Sequence, residues 1–341
     1  MAGFVWATGG DAAEAAGASG AGARRALWRS LGAQSVGFYV AVALVSALLI
    51  AVEVARVVIH ARAIELPMRW RVAFDATIAN NFMSWLSPGG LLGEPAATYV
   101  MARAGVALDG GIVVAYLKFV ISFAFILALA GAGIALGYSP AFPLVLTMSL
   151  VSGISVFVGL VGLLLAGAMV PGRSIAAIQR ARARVARGWL GRGRRGRALA
   201  RALQVAQDTV ERLALLRRRG VRWLWPVLLS HVAYYVAYGV IFVVVGHGVA
   251  RGGELASAEL MMRGFVYLGF LHLLPTPGGT ALGEAAAHAF FASTFGRGDD
   301  VAFVLWFRVA TLYAHVAFGV IYLPLIGVWR GVLGQRWVGS R

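Results

Sequence analysis

Two stretches of this chain place a carboxylate just beyond a Pro-Gly-Gly break in the middle of apolar sequence. Ser87 to Glu94 reads SPGGLLGE, and Thr276 to Glu284 reads TPGGTALGE. Each is followed inside the next apolar stretch by a lone cation, Lys118 or Arg308, which stands 24 residues beyond its Glu in both cases. Charges in such surroundings are costly unless they meet one another, a charged ligand or water. Pro88 and Pro277 cannot continue a helix, and glycine pairs permit backbone angles that other residues avoid, so each motif reads as a helix break. The amides freed at Gly89, Gly90, Gly278 and Gly279 would suit an anion such as phosphate.

Glu94 and Glu284, preceded by Gly93 and Gly283, open the arm after the break, where a helix N-terminus favours a carboxylate. Two compatible accounts stand: each Glu is a cap, or each faces a cavity and meets a charged substrate group. Lys118 is the only lysine in the chain. It and Arg308 read either as partners in structural ion pairs with the two glutamates, direct or crossed, or as a cationic site for a lipid phosphate. For the latter, Arg has the better bidentate geometry.

The elements that must position these groups are membrane spans. Of 341 residues 60% are hydrophobic and only 13% charged, with a mean hydropathy of +0.78, whereas a soluble domain would carry about a quarter charged residues. Five apolar runs are long enough to cross a bilayer: 36–60, 111–137, 142–170, 224–249 and 301–329. The chain has no cysteine, which excludes disulfides, thiol catalysis and Cys-ligated metals. The expected fold is an all-α polytopic membrane protein of about five full spans plus two broken-helix, re-entrant hairpins, 72–104 and 257–296, arranged as inverted-topology repeats.

Orientation follows from charge. The net charge is +17, and between Arg173 and Arg222 fifteen arginines face only Asp208 and Glu211. A basic stretch joining two spans reads as a cytoplasmic loop, 171–222, by the positive-inside rule, with anionic lipid headgroups as natural neighbours and no nucleic-acid partner expected. From that anchor, hairpin 72–104 leaves from and returns to the cytoplasmic side and hairpin 257–296 does so on the outer side. The first membrane repeat is then 36–170 and the second 223–330, with a basic, cytoplasmic C-terminal tail at 331–341. Residues 1–34, rich in Ala and Gly and without a signal-peptide pattern, read as a disordered tail placed outside, against the sense of Arg24, Arg25 and Arg29.

Other polar residues have plainer readings beside functional ones. His272 and His288 belong to the second hairpin, and Glu284 and His288 share a helix face, as a proton relay, half a metal site or a hydrogen-bonded pair. No metal or other cofactor is expected. Asn80 and Asn81 line a cavity or bridge helices. Tyr234, Tyr235, Tyr238 and Trp306 read as packing or interfacial aromatics. Glu53 and Arg56, toward the inner end of the first span, read as snorkelling side chains.

At these motifs the chain resembles the flippase-like family built on the transmembrane region of lysylphosphatidylglycerol synthase. The stretches that carry the likeness are NFMSWLSPGGLLGEPAATYVMARAGV, then LLPTPGGTALGEAAAHAFF with LWFRVATLY after it, and it extends over about residues 36–330. The matching residues are Pro88, Gly93, Glu94 and Arg103, then Pro277, Gly278, Gly279, Gly283, Glu284 and Arg308. Departures are Thr98, where members often carry Arg, the absence of one further initial span, and the lack of a soluble aminoacyl-transfer domain. The resemblance implies a non-enzymatic membrane protein of a bacterial-type inner membrane. It would move a phospholipid or polyprenyl-linked lipid, with membrane lipids, anionic or phosphate-containing, as its partners. A small-solute transporter, a membrane scaffold for a lipid-modifying enzyme, and an intramembrane enzyme are the alternatives.

Overall fold

The computed structural model describes residues 34–87, 90–138, 155, 158–159, 162, 170–187, 193–250, 256–274, 282–291, 293–295 and 299–327. Among them there is helix and no strand. In chain order the helices are α1 Val36–Ala63, α2 Trp70–Leu86, α3 Gly93–Arg103, α4 Leu108–Ala135, α5 Pro171–Arg187 and α6 Gly193–Arg218. Then come α7 Leu224–Val249, α8 Ser257–Leu273, α9 Leu282–Phe291, α10 Asp299–Arg308 and α11 Ala314–Leu325. Four stretches among the described residues are long and apolar enough to cross a membrane: Val36–Ala63, Leu108–Ala135, Gly220–Val249 and Asp299–Leu325. They correspond to four of the five expected spans. Most of the fifth, 142–170, lies outside the described residues, as do residues 1–33 of the tail and all of 331–341.

The faces of α1 explain how it sits. Val36, Val40, Leu44 and Leu48 recur every four residues and are exposed, a stripe suited to lipid. Val42, Ser46, Leu49, Glu53, Arg56 and His60 recur at four and three and are buried, as a helix face must. The start is capped by Ser35, whose Oγ accepts the Phe38 amide at 3.2 Å. The last span is not one continuous α-helix: a π-helical turn, Val309–Tyr313, separates α10 from α11.

The bundle has a basic end and a far end. At the basic end Arg212 on α6 pairs with Asp109 at the start of α4, and Arg219 Nη1 donates to the carbonyls of Arg62 and Ala63 at 2.6 and 2.9 Å. There too Arg103 Nη1 donates to the Gly327 carbonyl at 2.8 Å, and the Tyr322 hydroxyl donates to Asp75 at 2.7 Å. At the far end Phe38 stacks edge-on against Trp306, ring centroids 4.9 Å apart, Leu260 lies against Gly246 and Met262 against Gly133. The start of α2 and the end of α3 therefore lie at the basic end, beside Tyr322 and Gly327. Helices α8 and α9 start and finish at the far end, where Phe291 packs on Phe303 at 4.7 Å.

Close approach at the first break depends on a missing side chain. A Cβ on Gly93 would stand 1.8 Å from Ser84 Oγ and 3.0 Å from the Asn80 carbonyl oxygen, so α3 begins in contact with the last turns of α2. Gly90, at φ +71°, makes the turn, a conformation that glycine adopts at no steric cost. Gly93→Ala is expected to push the two helices apart and cost about 1–3 kcal/mol, measured as a lower melting temperature of the detergent-purified protein.

Candidate functional site

Four charged side chains meet inside the bundle. Glu53 on α1 is 5% exposed and accepts from both cations around it: Arg56 Nη1 at 2.5 Å and Lys118 Nζ at 2.7 Å. Lys118 on α4 also reaches Glu94 Oε1, in the first turn of α3, at 3.2 Å. The Arg56 guanidinium bonds Ser122, one turn beyond Lys118, and lies 4.0 Å from the centre of the Tyr234 ring, a cation–π contact. Two carboxylates thus neutralise two cations, which is what lets Glu53, Arg56 and Lys118 sit away from water, while the Glu94 side chain stays 24% exposed.

The depth of the cluster follows from helix geometry. Glu53 precedes the end of α1 by ten residues and Lys118 follows the start of α4 by ten, so each lies about 15 Å from the basic end at 1.5 Å per residue. That is half of a hydrocarbon core about 30 Å thick. The apolar core divides at this level. One cluster takes Phe38, Val42 and Leu49 of α1 with Phe123 and Ile126 of α4, the other Val54, Val57 and Val58 with Val113 and Leu117. Between them opens a cavity of about 160 Å3, with Asn80, Asn81 and Ser84 of α2 on its wall beside the charged groups. Tyr234, Tyr235, Tyr238, His272 and His315 close other sides.

The cavity wall is not fully satisfied. Glu53 spends both oxygens on cations, but Glu94 Oε2 is buried without a hydrogen-bond partner, as are Asn80 Nδ2 and His315 Nε2. Buried polar atoms normally have partners, so a charged or polar guest would find acceptor and donor positions waiting here.

The family model described as the lysylphosphatidylglycerol synthase TM region matches residues 12–319. The chain belongs to that family. It matches no curated protein and no solved structure.

Within this family framework, the first motif is well placed. Glu94 and Lys118, marked by the repeat, form the direct ion pair and face the cavity, and Gly90 lines it. Of the two amides expected to suit an anion at the first break, only that of Gly90 is among the described residues. The Gly90 amide donates to the Ser87 carbonyl and the Gly93 amide to the Gly90 carbonyl, both at 3.1 Å, so these donors are consumed by the turn itself. Arg103 stands apart, exposed at the basic end and bonded to Gly327. Pro88 and Gly89 lie outside the described residues.

In the second half, Arg308 is fully buried. Its Nη2 lies 2.5 Å from where a Cβ on Gly283 would stand, and the Tyr267 hydroxyl donates to the Gly283 carbonyl at 3.2 Å. Only glycine admits the guanidinium this close to the start of α9. Pro277, Gly278 and Gly279 lie outside the described residues, and so do the side chains of Glu284 and His288. His272 reaches the cavity, while Trp306 packs with Phe38 and Tyr39 away from it.

The snorkelling reading of Glu53 and Arg56 is corrected by the structure. Taking the span to stop at residue 60 puts Glu53 within reach of the surface; α1 in fact continues to Ala63, and the inward stripe turns both side chains to the centre. The signal lay in the spacing of Ser46, Glu53, Arg56 and His60 along one helix face. His315 also escaped notice, because its place on the cavity wall depends on the π turn before it.

Glu53 holds two cations and Glu94 shares one. Glu53→Gln is expected to cost about 3–5 kcal/mol, the usual penalty for stranding a buried charge. Glu94→Gln is expected to cost about 1–2 kcal/mol. Unfolding of the two purified variants in detergent checks the order.

Proposed function

We propose that this protein is a lipid translocase, moving a phospholipid or polyprenyl-linked lipid by taking its headgroup into the charged cavity while the acyl chains stay in the bilayer. The observation that carries this reading is the charge-balanced cluster at mid-bundle depth, in which the buried Glu53, Arg56 and Lys118 meet the partly exposed Glu94, with Glu94 Oε2 and Asn80 Nδ2 left without a hydrogen-bond partner in the protein on the cavity wall. Intramembrane ionisable groups facing a cavity mark substrate or ion pathways. A guest phosphate competes with Glu53 and Glu94 for Arg56 and Lys118, and a guest ammonium competes with the two cations for the glutamates. A zwitterionic headgroup that makes both exchanges at once keeps the cluster neutral, the condition for passage through a low-dielectric interior, and an anionic headgroup does so only with a proton taken up on a glutamate.

In this proposal α2–α3 and α8–α9 are re-entrant hairpins of inverted repeats, an arrangement recurrent in transporters whose broken helices meet near the midplane. Their opening from opposite ends of the bundle supports it. The basic end, which carries α5 and α6, faces the cytoplasm by the positive-inside rule, and the membrane is a bacterial-type inner membrane. The protein acts without chemistry of its own, and membrane lipids are its partners.

The deciding experiment follows transbilayer movement of headgroup-labelled lipids in liposomes holding the purified protein. The expected result is movement by the wild type that falls at least tenfold in Glu94→Gln, Lys118→Met and Glu284→Gln proteins that remain folded. No movement of anionic, zwitterionic or polyprenyl-phosphate lipids by a folded wild type overturns the reading in favour of a small-solute transporter or a scaffold.

A further inference from the structure

Two apolar grooves run end to end along α1, the first against the last span and the second against the start of α2. One, of about 450 Å3, extends from Tyr39 and Trp306 at the far end to Ala47 and Ile50. The other, of about 580 Å3, continues from Ala47 and Ile50 to Trp70 and Arg71 at the basic end. Phe318 borders both. Along α1 the combined groove runs from Tyr39 to Val54, fifteen residues and about 22 Å of helix. That exceeds the roughly 15 Å depth of one leaflet.

We infer that this groove holds an acyl chain of a phospholipid, and that the headgroup passes between groove and cavity at His315. The inference deepens the translocase reading and rests on it for direction of travel, but the groove is a binding site in its own right. Its lining is apolar and runs along α1, a helix long and apolar enough to cross a membrane, so in a bilayer a hydrocarbon chain is the natural occupant. At its basic end Trp70, 55% exposed, and the exposed Arg71 stand together. An interfacial indole beside a guanidinium is suited to an ester–phosphate region at that depth, and Arg binds phosphate in bidentate fashion.

The passage between the two spaces is marked by a second, independent feature. His315 borders the far-end groove and the central cavity alike. Its side chain is buried, Nδ1 is engaged by the Thr311 carbonyl, and Nε2 has no partner. It stands two residues beyond the π turn, and such turns concentrate at functional sites. Ser46 adds a hydroxyl on the facing helix of the same groove. A polar imidazole edge thus sits where a headgroup leaving the charged cavity meets the apolar track of its own tails.

The test is retention of native lipid. Ala47→Trp fills the groove where its two parts join, and Leu44→Trp, on the exposed stripe of the same helix and outside the groove, is the control. Proteins purified in mild detergent are assayed by mass spectrometry for phospholipid per protein. The expected result is at least a threefold drop for Ala47→Trp and none for Leu44→Trp. Equal retention by all three proteins overturns the assignment. Should Ala47→Trp fail to fold, Ala47→Cys folded first and then labelled with a bulky maleimide gives the same reading, since the chain has no other thiol. A wild type that loses retained lipid on groove blockage yet moves none in liposomes upholds the groove and sinks the translocase reading. Movement by the wild type with retention indifferent to blockage does the reverse.

Discussion

The placement of Glu53 between Arg56 and Lys118 is the constraint on which the rest depends. A lone carboxylate or cation at that depth would unfold locally or draw in water; the pair of bonds from one Glu makes both cations tolerable. Satisfying them requires α1 and α4 to lie side by side at one register, with Ser122 and Tyr234 adding contacts to Arg56. Glu94 then joins Lys118 from the first turn of α3, which fixes the first helix pair against the same point. The division of the apolar core into two clusters is the packing consequence.

That arrangement leaves the ions unequal. Glu53 is fully committed, whereas Glu94 has one shared bond and a bare oxygen. A site intended only for stability would be better served by apolar packing, since buried ion pairs seldom repay their desolvation. In the proposed translocase, the surplus polarity at Glu94, Asn80 and His315 serves a guest. The same logic separates the two halves of the motif repeat. The first brings a carboxylate to a cation beside a cavity, and the second brings a buried arginine hard against Gly283 in the first turn of α9.

Much of this was legible in the sequence. Apolar runs determine spans because an unsatisfied backbone in lipid must close its own hydrogen bonds as helix. The four described spans stand close to where hydropathy puts them. The break between α2 and α3 has an equally local cause in Gly90, whose positive φ glycine adopts freely, and the Glu94–Lys118 pair was among the pairings the repeat suggested. The partners of that pair were not legible. Glu53 and Arg56 look like interfacial charges until three further residues of α1 and the facing side of α4 are known.

What the sequence by itself determined is the membrane environment, the helical class, the places where helices must break and the family, because each depends on composition or on neighbours within a few residues. The tertiary structure alone decided which carboxylate carries two cations, that the turn amides of Gly90 and Gly93 are already spent, and that His315 borders both a polar cavity and an apolar groove. Those outcomes depend on the register of helices far apart in the chain. Register is set by the collective fit of side chains and by the demand that every buried charge find an opposite one, and no local pattern encodes that sum.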